Sequence, residues 1–161
     1  MDSIGMETNY KIDRAIEDKF SKIIKAILGN YFFVKDIEMD TKQGTDFLTY
    51  TIKPFKVAVR LRRYPMYLKY PNDFTIRYSR PSGIKTEIHK INEGLVDYIL
   101  YGFIDEKEEK IIKYFIGSLS IFRESKISPL YILQNKPPDS RLAIFNIRQF
   151  PKEFVLFSYK S

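Results

Sequence analysis

Apolar residues near the amino end of the chain recur every three or four positions, which is the spacing of an amphipathic helix. Asp13 can begin this helix, because its side chain can accept backbone N–H groups, and Gly29 can end it. A short apolar run at residues 31–34 predicts a strand after the helix. The apolar face of the predicted helix comprises Ala15, Ile16, Phe20, Ile23, Ile24, Ile27 and Leu28.

Three further segments have the pattern of strands in a half-buried sheet, because they alternate between apolar and polar positions or are short and apolar. They are residues 46–52, 57–62 and 74–78. In the second segment, Ala58, Arg60 and Arg62 share one face, and Val57, Val59 and Leu61 share the other. Residues 65–71 begin and end with proline and predict a loop, and residues 81–83 predict a turn.

The second half of the chain predicts two helices, a strand between them and a β tail. Residues 86–93 and the segment after the capping-box sequence Asp105-x-x-Glu108 predict the helices, and residues 97–103 predict the strand. Residues 129–138 predict irregular structure, and residues 142–147 and 154–159 predict closing strands. The first helix is predicted to bury Ile84, Ile88, Ile91 and Leu95, and the second Ile111, Ile112, Phe115, Ile116 and Leu119. We therefore predict an α/β (α+β) fold that forms a single domain over residues 1–161.

The 161 residues include no cysteine, which excludes disulfide frameworks and thiolate metal sites and favours a reducing compartment. No apolar run approaches the roughly 20 residues that a membrane-spanning helix needs. Residues 1–10 carry acids and lack the apolar stretch of a signal peptide. We expect a cytoplasmic protein without a membrane partner.

Lys and Arg number 27 against 20 Asp and Glu, a formal net charge of +7, and a basic protein is attracted to nucleic acid. Basic residues dominate between residues 53 and 90, where arginines alternate with tyrosines. Guanidinium groups bind phosphates and aromatic rings stack on bases, so we expect nucleic acid as the partner, with DNA favoured over RNA. The alternative is an exposed basic sheet face without this role. The predicted binding residues are Arg60, Arg62, Arg63, Arg77 and Arg80.

An acidic residue at the start of one strand, with a cation on the next, is the frame of a metal-dependent nuclease site. Asp46 follows Gly44 and Thr45 here, and Arg60 lies on the next predicted strand. A carboxylate two residues before the cation would point into the same cleft, but position 58 is alanine. Gly-Thr-Asp also suits a turn before a strand, which is the alternative interpretation.

These residues and the order of the elements around them resemble the PD-(D/E)XK nuclease superfamily, which includes restriction endonucleases, Holliday-junction resolvases and many phage proteins. The resemblance covers residues 11–103 and implies a core of order αβββαβ, with residues 104–161 as an extension. It implies catalytic roles for Asp46 and Arg60, joined by Glu17 from the first helix. In this family two carboxylates hold Mg²⁺, which polarises the phosphate and activates water.

Ala58 cannot bind a metal, but the family sometimes moves the missing carboxylate to the neighbouring helix. Glu87 matches that position, and Lys90 lies on the same helical face. The resemblance then implies Asp46 and Glu87 as metal ligands, with Arg60, Lys90 and Glu17 completing the catalytic set. The alternative is that Glu87 only stabilises the amino end of its helix and pairs with Lys90.

Three functions therefore stay open at the level of the sequence. The first is a Mg²⁺-dependent DNA endonuclease, and the second is a catalytically inactive nuclease-like protein that binds DNA. The third is an interaction module of a phage or mobile element whose basic face meets an acidic protein. His89, the single histidine, is predicted to be a surface residue. The tail after Ser128 could complete the sheet or form a homodimer.

Overall fold

Five helices lie within the residues that the computed structural model describes, which are 9–43, 55–135 and 140–161. None of the helices in these ranges is both long enough and apolar enough to cross a membrane. The helices are α1 (Asn9–Lys19), α2 (Ser21–Gln43), α3 (Tyr64–Lys69), α4 (Glu87–Asn92) and α5 (Leu119–Ser125).

The strands of the same ranges form two sheets. They are β1 (Val57–Arg62), β2 (Asp73–Ser79), β3 (Tyr98–Ile104), β4 (Ile111–Ser118), β5 (Tyr131–Gln134), β6 (Arg141–Asn146) and β7 (Val155–Lys160). The larger sheet has the order β1-β3-β4-β7, with β1 parallel to β3 and the other pairs antiparallel. The smaller sheet, β2-β6-β5, is antiparallel throughout. Short 3₁₀ turns at Ile147–Gln149 and Lys152–Phe154 connect β6 to β7.

The larger sheet is buried on both faces, which places it in the middle of three layers. On one face Leu61 and Leu100 pack with Ile16 of α1 and Ile24 of α2. On the other face β3 and β4 pack against β2 and β6 of the smaller sheet, and α4 and α5 contribute to the same cluster. The fully buried members of this second cluster include Phe74, Ile76, Ile91, Ile99, Leu119 and Phe154. This mixed arrangement confirms the predicted α+β class.

The amino-terminal prediction is wrong at its boundaries. Gly29 does not end a helix but lies inside α2, and the strand predicted at residues 31–34 is helical. Ile24, Leu28 and Tyr31 continue the helical spacing and pack towards the larger sheet. That burial outweighs the cost of about 1 kcal/mol that an internal glycine imposes on a helix.

The helix predicted after Asp105 is also wrong, because residues 111–118 form strand β4. The strand lies between β3 and β7 and contributes to both apolar clusters, so its apolar residues do not alternate with polar ones. The Asp105 carboxylate accepts the backbone N–H groups of Glu109 and Lys110, at 2.7 and 2.9 Å. It therefore shapes a β3–β4 hairpin, with the same local chemistry that a helix cap would use.

Smaller differences concern three other segments. Residues 64–69 are helical although a loop was expected, since Pro65 lies in the first turn, where a proline is tolerated. Residues 131–134 form β5, which pairs with β6. Ile84 and Leu95 are exposed, because both lie outside the short helix α4.

The remaining predicted elements are confirmed at or close to their expected bounds. They are the strands at residues 57–62, 74–78, 97–103, 142–147 and 154–159 and the helix at residues 86–93. Residues 74–78, however, belong to the smaller sheet and pair with β6 rather than with β1. The strand predicted at residues 46–52 lies outside the described residues.

Candidate functional site

Arg60 is the centre of a group of charged side chains between the two sheets. Its side chain is only 8% exposed and contacts two carboxylates from different helices. Nη1 donates to Oδ2 of Asp13 on α1 at 3.2 Å, and Nη2 donates to Oε2 of Glu87 on α4 at 2.9 Å. Arg60 thus links β1 to two helices that are far apart in the sequence.

Arg62 and Arg77 surround the same two carboxylates. Nη1 of Arg62 lies 3.9 Å from Oδ1 of Asp13, and Nη2 of Arg77 lies 4.0 Å from Oδ2. The backbone N–H of Arg77 donates to Oε2 of Glu87 at 3.0 Å. The side chains of Arg62 and Arg77 are 14% and 7% exposed, so both are recessed. We refer to Arg60, Arg62 and Arg77 as the arginine cluster.

Local structure explains how these side chains meet. Arg60 and Arg62 share a face of β1 because neighbouring residues in a strand alternate. Glu87 is the first residue of α4, and the preceding Thr86 holds that end in place. The Thr86 hydroxyl donates to the carbonyl of Tyr78 on β2 at 2.9 Å. This bond ties the start of α4 to the strand that carries Arg77.

His89 belongs to the same helix start. Its Nδ1 accepts the backbone N–H of Thr86 at 3.2 Å and lies 3.0 Å from the Thr86 hydroxyl. The residue is exposed, as the sequence predicted, and its contacts complete a capping box. These contacts stabilise the helix end that presents Glu87.

Glu17 has an altered proton affinity beside the arginine cluster. Burial raises the pKa of Glu17 from 4.5 to about 7, with Asp13 and Glu87 adding to the rise and Arg60 opposing it. Near neutral pH this carboxyl is therefore charged in only part of the molecules. The arginine cluster then faces the carboxylates of Asp13 and Glu87 with an excess of positive charge.

The arginines themselves keep their protons. Burial disfavours the charged form of Arg60, but Glu87 and Asp13 outweigh it and raise the pKa of Arg60 above its usual value. Burial, Arg60 and Arg80 lower the pKa of Arg77. A guanidinium starts so far above neutral pH that both residues stay cationic.

A cleft of about 240 Å³ opens beside this group. In the described part of the chain, the Nε groups of Arg60 and Arg62 are buried and have no hydrogen-bond partner. Burying a donor without a partner costs about 1–3 kcal/mol, so these two groups add to the cost of burying the arginine cluster. The cleft is lined by Ile12, Asp13, Arg60, Leu61, Arg62, Arg63, Met66, Asn135 and Leu142.

Other predicted residues lie apart from the arginine cluster or outside the described ranges. Arg63 points to solvent and pairs with Glu108 at 2.8 Å. Arg80 is half-buried and close enough to Arg77 to affect its pKa. Lys90 is exposed, and the ion pairs between described residues do not join it to Glu87. Asp46, the predicted opening residue of the site, lies outside the described residues.

The sequence-based prediction missed Asp13 as a site residue. Asp13 was expected to cap a helix, but it lies inside α1 and its carboxylate contacts Arg60. A usable signal existed, since Asp13 and Glu17 are four residues apart and so lie on one face of a helix. What the sequence could not indicate was that this face turns towards Arg60.

The described residues do not by themselves fit a Mg²⁺ site. Within those ranges, no three His, Cys, Asp or Glu side chains are grouped so that they could hold a metal ion. Oε2 of Glu87 already accepts from Arg60 and from the backbone of Arg77. Mg²⁺ is usually held by one or two carboxylates together with waters, so Arg60 would compete with the ion for Glu87.

Comparison with known proteins finds no matching family model, no similar curated protein and no similar solved structure. The resemblance to the PD-(D/E)XK superfamily therefore stays a prediction from the sequence.

Proposed function

We propose that this protein binds nucleic acid and that the arginine cluster receives a backbone or terminal phosphate. The observation that carries the proposal is the cleft lined by Arg60 and Arg62, beside which the three guanidinium groups of the arginine cluster outnumber the carboxylates of Asp13 and Glu87 that they contact. The net charge of +7 provides long-range attraction to a polyanion.

The chemistry of the arginine cluster supports a phosphate rather than an unspecified anion. A guanidinium presents its N–H groups in a planar fork that matches a pair of phosphate oxygens. Hydrogen bonds between charged groups are stronger when water is excluded, and the arginine cluster is recessed. Arg63 lies at the rim of the cleft and Arg80 lies near Arg77, where they can attract flanking phosphates.

Salt-dependent binding to oligonucleotides tests this proposal. We expect single-stranded or duplex DNA to bind with an association constant that falls steeply with salt concentration. Arg62→Ala should weaken binding and reduce the salt slope by about 0.7–0.9, the value for one lost phosphate contact. Arg148→Ala is the matched control, because Arg148 is exposed and lies outside the cleft.

The result that would overturn the proposal is the absence of salt-dependent binding to DNA and RNA alike. That result would favour the third function, an interaction with an acidic protein. An equal loss of affinity in Arg62→Ala and Arg148→Ala would mean that only net charge matters and that the cleft is not the binding site.

Metal-dependent DNA cleavage is a second candidate function. The observation that favours it is the contact of Arg60 with Glu87, which brings together two residues that the family resemblance implies. Its test is a cleavage assay on linear and branched DNA with Mg²⁺, Mn²⁺ or EDTA. This second candidate predicts metal-dependent products that disappear in Asp46→Ala, with DNA binding retained. Binding without cleavage in any metal would assign the protein to the inactive, DNA-binding class.

A further inference from the structure

The recessed position of the arginine cluster limits what can reach it. Arg60, Arg62 and Arg77 are between 7% and 14% exposed, whereas Arg63 at the rim of the cleft is 60% exposed. An internal phosphate of a nucleic-acid strand is flanked by two sugars, so we expect it to contact the exposed Arg63 before the recessed groups. A terminal phosphate has one free side and reaches further into a narrow cleft.

The size of the cleft agrees with a small entering group. Pockets for drug-sized ligands hold about 300–1,000 Å³, and this cleft holds about 240 Å³. Its walls combine charged side chains with apolar ones, among them Ile12, Met66 and Leu142. A phosphate with part of the adjoining sugar fits such a space, with the phosphate on the arginines and the sugar on the apolar wall.

Charge also distinguishes the possible ligands. Asp13 lines the cleft and already contacts the arginine cluster, so it repels any entering anion. A phosphodiester carries one negative charge, whereas a phosphomonoester carries about −1.5 to −2 at pH 7. Attraction to the arginines and repulsion by Asp13 both scale with the ligand charge, and the three guanidinium groups outnumber the carboxylates of Asp13 and Glu87. The net attraction is therefore larger for the monoester than for the diester.

We propose that the cleft binds the terminal phosphomonoester of a nucleic-acid strand, held by Arg60 and Arg62 between α1 and β1. This inference rests on the proposed function, because it specifies which phosphate of the nucleic acid occupies the arginine cluster. Arg60 and Arg62 line the cleft, and a guanidinium group carries five N–H donors, from which the terminal oxygens accept hydrogen bonds. The protein would then recognise strand ends in preference to internal positions.

The test is fluorescence anisotropy with one single-stranded DNA sequence prepared with different ends. The probes carry a 5′-phosphate, a 3′-phosphate or hydroxyl groups at both ends, with the label placed internally. We expect at least one phosphorylated end to bind about tenfold more tightly than the hydroxyl-ended strand, equivalent to about 1.4 kcal/mol. At constant ionic strength, inorganic phosphate should compete with the phosphorylated strand for the cleft. It should leave the weaker binding of the hydroxyl-ended strand unchanged.

Variants assign the effect to the cleft. Arg62→Ala should remove the preference for the phosphorylated end, Arg62→Lys should retain part of it, and Arg148→Ala should leave it unchanged. Arg62 contacts one carboxylate at 3.9 Å, so its removal disturbs the fold less than removal of Arg60 would. Thermal unfolding of each variant checks this, and Arg62→Lys keeps the test decisive if Arg62→Ala is unfolded.

The possible outcomes separate the two proposals. Equal, salt-dependent binding of all three strands would overturn the end-recognition inference and leave nucleic-acid binding in place. A preference for a phosphorylated end that stays undiminished in Arg62→Ala, or in Arg62→Lys if Arg62→Ala is unfolded, would also overturn it, because the phosphate would then lie elsewhere. Failure of every strand to bind would overturn the inference, and failure of duplex DNA and RNA as well would overturn the proposed function.

Discussion

Two ion-pair regions lie three residues apart in the sequence and differ in almost every physical respect. The Arg60 side chain is 8% exposed, and its guanidinium contacts carboxylates from two helices. The Arg63 side chain is 60% exposed, and its guanidinium contacts Glu108 on the β3–β4 hairpin. The distances are similar, so the difference lies in burial. Salt hardly screens a recessed pair, and the loss of one partner is strongly destabilising. Salt screens a surface pair, and the loss of one partner costs little.

We expect the largest loss of stability when Arg60 is removed from the buried region. In Arg60→Ala, Asp13 and Glu87 lose the cation between them and stay partly buried. Removing one partner of a buried pair costs about 3–5 kcal/mol, and we expect a destabilisation of that size. The free energy of unfolding in urea measures it. A loss below about 1 kcal/mol would show that solvent reaches the carboxylates and that the region is not effectively buried.

The buried region also differs from the surface pair in the pH dependence of its stability, which Glu17 should dominate. Its pKa in the folded protein is about 7 against an ordinary 4.5, so the protonated form favours folding below pH 4.5. That stabilisation is lost as pH rises through about 7. Glu17→Gln cannot ionise and should therefore gain stability relative to the parent between pH 5 and 8. Because Glu17 is half-buried, solvent screening reduces the expected gain to about 1–2 kcal/mol.

Urea midpoints at pH 5 and pH 8 provide the measurement for Glu17. The parent should lose stability over this interval relative to Glu17→Gln. Asp18→Asn is the matched control, because Asp18 is the neighbouring acid, is exposed and pairs with Arg14 on the surface. If both variants follow the same pH profile, Glu17 is not the titrating group.

Thr86 probes how Glu87 is positioned in the buried region. Thr86→Ala removes the hydroxyl that bonds the Tyr78 carbonyl and caps α4. Loss of a cap costs about 1 kcal/mol, which chemical denaturation can resolve. The start of α4 should also loosen, so hydrogen exchange of the Arg77 amide, which bonds Glu87, should accelerate. Unchanged exchange would mean that Arg60 alone holds Glu87 in place.

The smallest effect is expected at the surface pair. Arg63→Ala should change the free energy of unfolding by about 0–1 kcal/mol, since exposed ion pairs contribute little. A double-mutant cycle with Glu108→Ala measures the pair without the other contacts of either residue. A coupling energy above about 2 kcal/mol would place Arg63 with Arg60 and remove the contrast between the two regions.

Short-range patterns predicted most of the strands and one helix, because each depends on residues next to each other in the chain. Residues 57–62 show this most clearly: their alternation placed Arg60 and Arg62 on one face of β1, where both line the cleft. The same reasoning failed for residues 111–118, since β4 is buried on both faces and lacks alternation. It also failed at Gly29, where packing against the sheet extends α2 past a residue that often ends helices.

The sequence by itself determined the basic charge, the strand that carries Arg60 and Arg62, and the helix that begins at Glu87. Only the tertiary structure decided that Asp13 from α1 and Arg77 from the smaller sheet join them. Those contacts link residues that are far apart in the chain, and their geometry depends on how the helices and the two sheets pack. Burial follows from the same packing, and it separates Arg60, enclosed between carboxylates, from Arg63, which stays in water.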